Sequence, residues 1–148
     1  MLEQSGVAFT LHSYEYEPDA ERIGLHAAAA LGEPPRRVLK TLMARVDRKP
    51  VCAIVPSDRE VSMKKLAAAF GGRSAQMMPP AEAERISGYR VGGISPFGQM
   101  RKVPTAIEVE SLAHELVYIN GGQRGLQVRL DPNAAARVLQ AIAAPLVA

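Results

Sequence analysis

The sequence predicts one α/β domain, residues 1–148, built on a curved or barrel-like mixed sheet with helices around it. Three observations carry this. A chain of 148 residues has the size of one ordinary domain and leaves no room for two. Its 47% hydrophobic and 22% charged residues are the balance of a chain that buries a core, not of a disordered one. Strand and helix patterns are interspersed, but most links between strands are too short for crossover helices, which disfavours a doubly wound parallel sheet.

The elements follow in order. Phe9 to Tyr16 alternates apolar and polar residues as a half-buried strand does, and Pro18 ends it. Asp19 can cap a helix that runs to Leu31 and stops at Gly32, Pro34 and Pro35. Val38 to Asp47 and Pro50 to Val55 read as a hairpin, and the second strand is apolar on both faces, as a central strand is. Ser62 caps a helix to Phe70 that ends at Gly71 and Gly72, and a short helix from Ala81 to Ile86 follows Pro79 and Pro80. Thr105 to Glu110, Leu116 to Asn120 and Leu126 to Leu130 are three further strands, with glycine turns between the last two. Asp131 and Pro132 open a closing helix over Ala134 to Ile142.

Composition excludes several classes. The longest apolar runs, Ala27 to Leu31 and Val51 to Val55, fall far short of the ~20 residues a spanning helix needs. Met1 to Val7 carries Glu3 and lacks the basic start and apolar stretch of a secretory signal, so a cytoplasmic location is expected. The single cysteine, Cys52, permits no intrachain disulfide. His12, His26 and His114 lack metal-ligand spacing, so a site with neither metal nor other cofactor is expected. A net charge of +3 does not by itself mark a nucleic-acid binder, although basic residues gather at Arg36, Arg37 and Lys40, at Arg45, Arg48 and Lys49, at Lys64 and Lys65, and at Arg101 and Lys102.

Two features stand out chemically. Gly88-Tyr89-Arg90-Val91-Gly92-Gly93-Ile94-Ser95-Pro96-Phe97-Gly98 has the composition of a loop that holds a shape: glycines admit close approach of backbone N–H groups, and Pro96 pushes Ser95 toward an extended conformation. An ordinary wide turn would read the same way. The loop matches neither a Walker motif nor a dinucleotide fingerprint, and Phe97 stands where a nucleophile elbow needs glycine, so Ser95 reads as a binder. The second feature is Lys40, which strand alternation places on one face with Val38, Leu42, Ala44 and Val46. Its ammonium must snorkel to water or enter a pocket. Cys52 lies in an apolar run with no nearby histidine, where thiols are usually packing residues, and no Ser-His-Asp set is legible.

Val38-Leu39-Lys40-Thr41-Leu42, the Gly88 to Gly98 loop, and Gly121-Gly122-Gln123-Arg124-Gly125-Leu126 occur in that order and together resemble the YbaK/EbsC family, from about His12 to the C-terminus. Members of that family look like the editing domain inserted in many bacterial prolyl-tRNA synthetases, and the free-standing ones deacylate mischarged tRNA in trans. The resemblance implies that Lys40 is the key pocket residue and that Gly92, Gly93, Ile94, Ser95 and Pro96 form the loop holding the aminoacylated 3′ end, with Gly98, Gly121 and Gly122 beside it. Tyr14 matches a pocket-side tyrosine. Ile23, Asn120 and Gln127 stand where cysteinyl-tRNA deacylases commonly have phenylalanine, serine and aspartate; Ile23 and Asn120 are carried over as substrate-binding positions.

The activity so implied is hydrolysis of a mischarged aminoacyl-tRNA, foremost Cys-tRNA(Pro), by positioning the substrate without a protein nucleophile. The implied partners are aminoacyl-tRNA, especially the 3′ end of tRNA(Pro), and prolyl-tRNA synthetase, with no membrane. A non-catalytic tRNA- or synthetase-binding module of the same fold is the second reading.

Overall fold

The structure is a computed structural model that describes residues 1–16 and 23–148, without the side chains of Ile23 and Gly24. A short helix α1 (Leu2–Ser5) precedes strand β1 (Phe9–Ser13). Helix α2 (Ile23–Leu31) and a 3₁₀ turn (Pro35–Arg37) lead into the hairpin β2 (Val38–Val46) and β3 (Lys49–Pro56). Then come α3 (Met63–Ala69), β4 (Ala75–Met77), α4 (Pro80–Ser87), β5 (Thr105–Glu108), β6 (Val117–Asn120), β7 (Leu126–Leu130), α5 (Pro132–Leu139) and β8 (Ile142–Ala144). The eight strands form one mixed sheet in the order β1-β7-β6-β2-β3-β5-β8, with β4 paired to β2. This is the mixed-sheet α/β architecture that the pattern predicts.

Local chemistry explains the boundaries. The β2–β3 hairpin turns at Asp47 and Arg48, both left-handed (φ 48° and 71°), the conformation a two-residue hairpin turn demands. The Asp47 carboxylate makes that strained turn worthwhile by accepting from the N–H groups of Arg73 and Ser74. Those hydrogen bonds hold its carboxyl below the usual carboxylate range. Ser62 caps α3 through Lys65 N (3.2 Å), as expected, and Asp131, expected in the first turn, caps α5 through Asn133 N (2.8 Å).

The structure corrects several boundaries. The first strand ends at Ser13, not Tyr16, although Tyr14 N still bonds Gly125 O at 2.9 Å. Strand β5 ends at Glu108 because the next five residues, Val109–Ala113, wind into a 3₁₀ helix that the Glu108 carboxylate caps. The last helix stops at Leu139, where left-handed Gln140 (φ 53°) turns the chain out, and Ile142 belongs to an edge strand parallel to β5. The expected breaker Pro18 and cap Asp19 lie outside the described residues. No helix among the described residues is long and apolar enough to cross a membrane.

Alternation along β2 decides which layer each side chain joins. Leu39 and Met43 enter a core with Cys52, Ile54, Ile107 and Ile119, closed by Ile86 of α4, Leu139 of α5 and Phe97. The opposite face carries Val38 against α2, and Ala44 and Val46 against Leu66 of α3. Between these contacts β2 is incompletely paired. Its partner on one edge is β6 only at Val38 and Leu39, and β4 only at Ala44, Arg45 and Val46. Residues 40–43 therefore border a gap in the sheet, and all four line a cavity there.

Candidate functional site

That cavity has a volume of about 500 Å³. Because the sheet is interrupted there, residues of both faces reach it. Lys40, half-buried, lines it from the α2 side with Tyr14, Asn120 and Gln127, and Gly92 and Ile94 of the loop line it too, with Ile94 packed against the opposite core layer. The strand lysine and the glycine loop thus share one space even though Ile94 packs against the core layer that Lys40 does not face. The charged residues lining it, among those described, are Lys40 and Glu60, one of each sign.

The loop's shape is fixed by hydrogen bonds at nearly every peptide. Glu84 accepts from Val91 N (2.9 Å), and Arg124 Nε donates to Val91 O (2.9 Å). Gly93 N donates to Arg90 O (2.8 Å). Asn120 Nδ2 donates to both Gly92 O (3.3 Å) and Gln123 O (3.4 Å), while its Oδ1 accepts from Gly122 N (2.7 Å). The Asn120 carboxamide therefore ties the loop to the β6–β7 turn while lining the cavity. Ser95 is buried; its Oγ accepts from Phe97 N (3.1 Å) and its carbonyl from Gln99 Nε2 (3.0 Å). Tyr89 Oη donates to Phe97 O.

The other expected positions form a second layer. Gly93, Ser95, Pro96, Gly98, Gly121 and Gly122 are absent from the cavity lining. Gly92 has φ 91°, a conformation that favours glycine, and lies against the end of the Tyr16 side chain. At Gly93 an added Cβ would stand 2.9 Å from Arg124 N and 3.0 Å from Gln123 C, both backbone atoms. Gly93→Ala should therefore displace the loop from the β6–β7 turn. The expected cost is about 1 to 3 kcal/mol in stability and at least a tenfold fall in kcat/KM, checked by thermal unfolding beside single-turnover rates. Unchanged kinetics would mean that loop position does not matter. The Ile23 side chain lies outside the described residues.

Sequence reasoning did not pick out Thr41, Ser57, Glu60, Met78, Ala83 and Gln127 as site residues, yet all line the cavity. Alternation in Leu126–Leu130 groups Gln127 with Arg129 on the polar face, so the signal for it was its place in the family pattern, where aspartate is common. Ser57 and Glu60 follow β3 in a loop whose return to the cavity depends on tertiary folding. Burial raises the Tyr14 hydroxyl pKa, an effect tempered first by the neighbouring Gln127 amide. Tyr14 also meets the His26 ring edge-on at 6.0 Å.

Neither Cys52 nor Ser95 is placed to attack. Cys52 is fully buried, and burial pushes its thiol pKa up to about 12, so it stays protonated near neutral pH. Ser95 is 1% exposed and has no imidazole or carboxylate partner among its hydrogen bonds. No group of three or more His, Cys, Asp or Glu side chains among the described residues could hold a metal ion.

Comparison with known proteins gives four findings. The family model for the aminoacyl-tRNA editing domain matches residues 17–138. EbsC of Enterococcus faecalis, named for Cys-tRNA(Pro)/Cys-tRNA(Cys) deacylation, is 32% identical over 138 residues, 90% of this chain and 82% of that protein. A proline–tRNA ligase of Anaeromyxobacter dehalogenans is 35% identical over 105 residues, covering 66% of this chain and 18% of the ligase. In structure, a protein described as a trans-editing enzyme for prolyl-tRNA synthetase superposes with a TM-score of 0.83 at 21% identity, covering 99% of this chain and 92% of that one.

Proposed function

This chain belongs to the aminoacyl-tRNA editing domain family, and from that premise we propose that its cavity takes the aminoacylated 3′ end of a mischarged tRNA(Pro), foremost Cys-tRNA(Pro), and hydrolyses the ester. The observation that supports this most is the convergence of Lys40, Gly92 and Ile94 on one cavity, while among the described residues the Cys52 thiol stays protonated and Ser95 has no base beside it. Such a site works by orientation. Lys40 holds the terminal phosphate or ribose by a charge-assisted contact, and the hydrogen-bonded loop fixes the acyl group beside it. Gly93, Ser95, Pro96, Gly98, Gly121 and Gly122 act behind the loop by keeping its shape.

Water or a cysteine substrate's own thiol then attacks the ester carbon, giving the free amino acid or its cyclic thioester. The bond to the ribose oxygen breaks, and that oxygen takes up a proton. An intramolecular attack needs little more than alignment, since effective molarities of roughly 10⁵ M or higher accompany well-oriented reactants. Similarity to a proline–tRNA ligase supports delivery of the substrate by a prolyl-tRNA synthetase.

The reading is tested by turnover on tRNA(Pro) charged separately with cysteine, alanine and proline. Many equivalents of free tRNA released from the cysteinyl form, with the prolyl form spared, are expected. Stoichiometric protection of all three would identify a binding module instead.

A further inference from the structure

The gap beside β2 leaves one residue's worth of strand edge facing the cavity. In the β2–β3 ladder, Val38 O accepts from Ser57 N at 3.0 Å, so the even-numbered residues of β2 turn their peptide groups toward β3. The odd-numbered ones turn the other way: Met43 O accepts from Met78 N (3.1 Å), and Asp47 N donates to Ser74 O (3.0 Å). Thr41 belongs to this second set, yet pairing with β6 ends at Leu39 and pairing with β4 begins at Ala44. Its N–H and C=O therefore point into the gap, and Thr41 lines the cavity.

Two further atoms mark the same space as built for polar contact. Thr41 Oγ1 and Gln127 Oε1 are buried and have no hydrogen-bond partner among the described residues. Gln127 is 4% exposed and lines the cavity. Buried polar groups are nearly always paired, and an amide oxygen can only accept, so what meets Gln127 Oε1 must carry a donor hydrogen.

We propose that Thr41 binds the aminoacyl group as a strand binds a strand: its N–H donates to the ester carbonyl, its C=O accepts from the α-amino group, and Gln127 Oε1 accepts from a second donor of that group. This rests on the deacylase reading of the cavity. An aminoacyl ester presents a carbonyl acceptor and an amino donor on either side of one Cα, the arrangement with which facing residues of an antiparallel pair exchange two hydrogen bonds. The Thr41 N–H would strengthen its hold as negative charge grows on the carbonyl oxygen, which makes it an oxyanion donor and not merely a binding contact. Because recognition runs through main-chain atoms and an α-amine, it is blind to the amino-acid side chain. Side-chain selection then falls to the apolar wall formed by Met78, Ala83 and Ile94.

The test replaces the peptide N–H of residue 41 with an ester oxygen, by incorporating the α-hydroxy analogue of threonine into the full chain. The same exchange at residue 42, whose N–H faces β3, is the folding control. Turnover of charged tRNA and affinity for a non-hydrolysable 3′-alanylamido-adenosine are both measured. The expected result is a fall in kcat of tenfold or more with KM little changed, a several-fold loss of analogue affinity, and a smaller effect at residue 42. N-acetylation of the analogue should weaken binding to the unsubstituted protein at least tenfold, and Gln127→Met should shrink that penalty. Unchanged kcat and affinity in a folded residue-41 ester overturn the proposal, as does an unsubstituted protein that binds no analogue. Absent turnover with analogue binding that still falls on the residue-41 exchange sinks the deacylase reading alone.

Discussion

Lys40→Ala should lower deacylation of mischarged tRNA ten- to a hundredfold while leaving the thermal unfolding midpoint nearly unchanged. In β2, Lys40 is half-buried on a face whose other members pack in apolar layers, yet its own position borders the gap and lines the cavity. A charge-assisted contact made there to phosphate or ribose contributes about 1.5 to 3 kcal/mol, which sets the range of the rate loss, and misalignment of the ester adds to it. Stability should hardly respond, because alanine at a half-buried strand position by an open cavity leaves no sealed void. Lys40→Arg separates charge from shape: a point charge on a flexible stem and a planar fork place a phosphate differently, so partial recovery is expected. Cys52→Ala is the contrasting control. Its thiol is fully buried and its pKa is pushed up to about 12, so that variant should lose some stability and little turnover. Full activity without the lysine, or loss of activity in a folded Cys52 variant, would reverse the assignment of roles.

Much of this site was legible in the sequence because two local rules reach far. Strand alternation placed Lys40 inward without any knowledge of its neighbours, and the density of glycine with Pro96 marked a shaped loop. What alternation could not show is that the lysine and the loop share one cavity, beside the part of β2 that β6 and β4 leave uncovered. That gap is a property of register, which depends on long-range pairing. The loop composition likewise did not separate Gly92 and Ile94, which line the cavity, from Gly93, Ser95 and Pro96, which support them. Asn120 carries the clearest lesson. Its type suggested a substrate contact, but its carboxamide also holds Gly92, Gly122 and Gln123. The short strands β4 and β8 were missed for a related reason: three-residue segments carry almost no periodicity, and their pairing partners define them.

Glu108→Gln should destabilise the fold by about 2 to 4 kcal/mol at neutral pH, with a penalty that shrinks as the solution is acidified. Glu108 is 1% exposed at the end of β5. Its Oε2 accepts from Glu110 N (2.9 Å), and its Oε1 accepts from Leu146 N (2.8 Å) and Val147 N (3.1 Å). Burial alone would raise the carboxyl pKa, but these three N–H donors and nearby Lys65 outweigh it and hold the pKa below the ordinary glutamate range. A pKa lower in the folded than in the unfolded chain means that the unfolded chain binds the proton more readily. The stabilisation is thus present above the unfolded value of about 4.3 and drains away as pH falls through the folded one. Glutamine has the same shape, but its amide nitrogen would meet backbone N–H groups with donors of its own and cannot be titrated. The difference in urea-unfolding free energy between the two proteins should accordingly be largest near pH 7 and narrow below about pH 4.5. A constant difference down to pH 3 would show that Glu108 acts by packing alone. The clamp also bears on the cavity, because the segment it holds pairs onward: Leu146 O accepts from Ser62 N (2.8 Å), and Ala148 N donates to Glu60 O (2.9 Å). Glu60 lines the cavity, so loosening residues 146–148 should lower turnover at temperatures where the sheet itself remains folded.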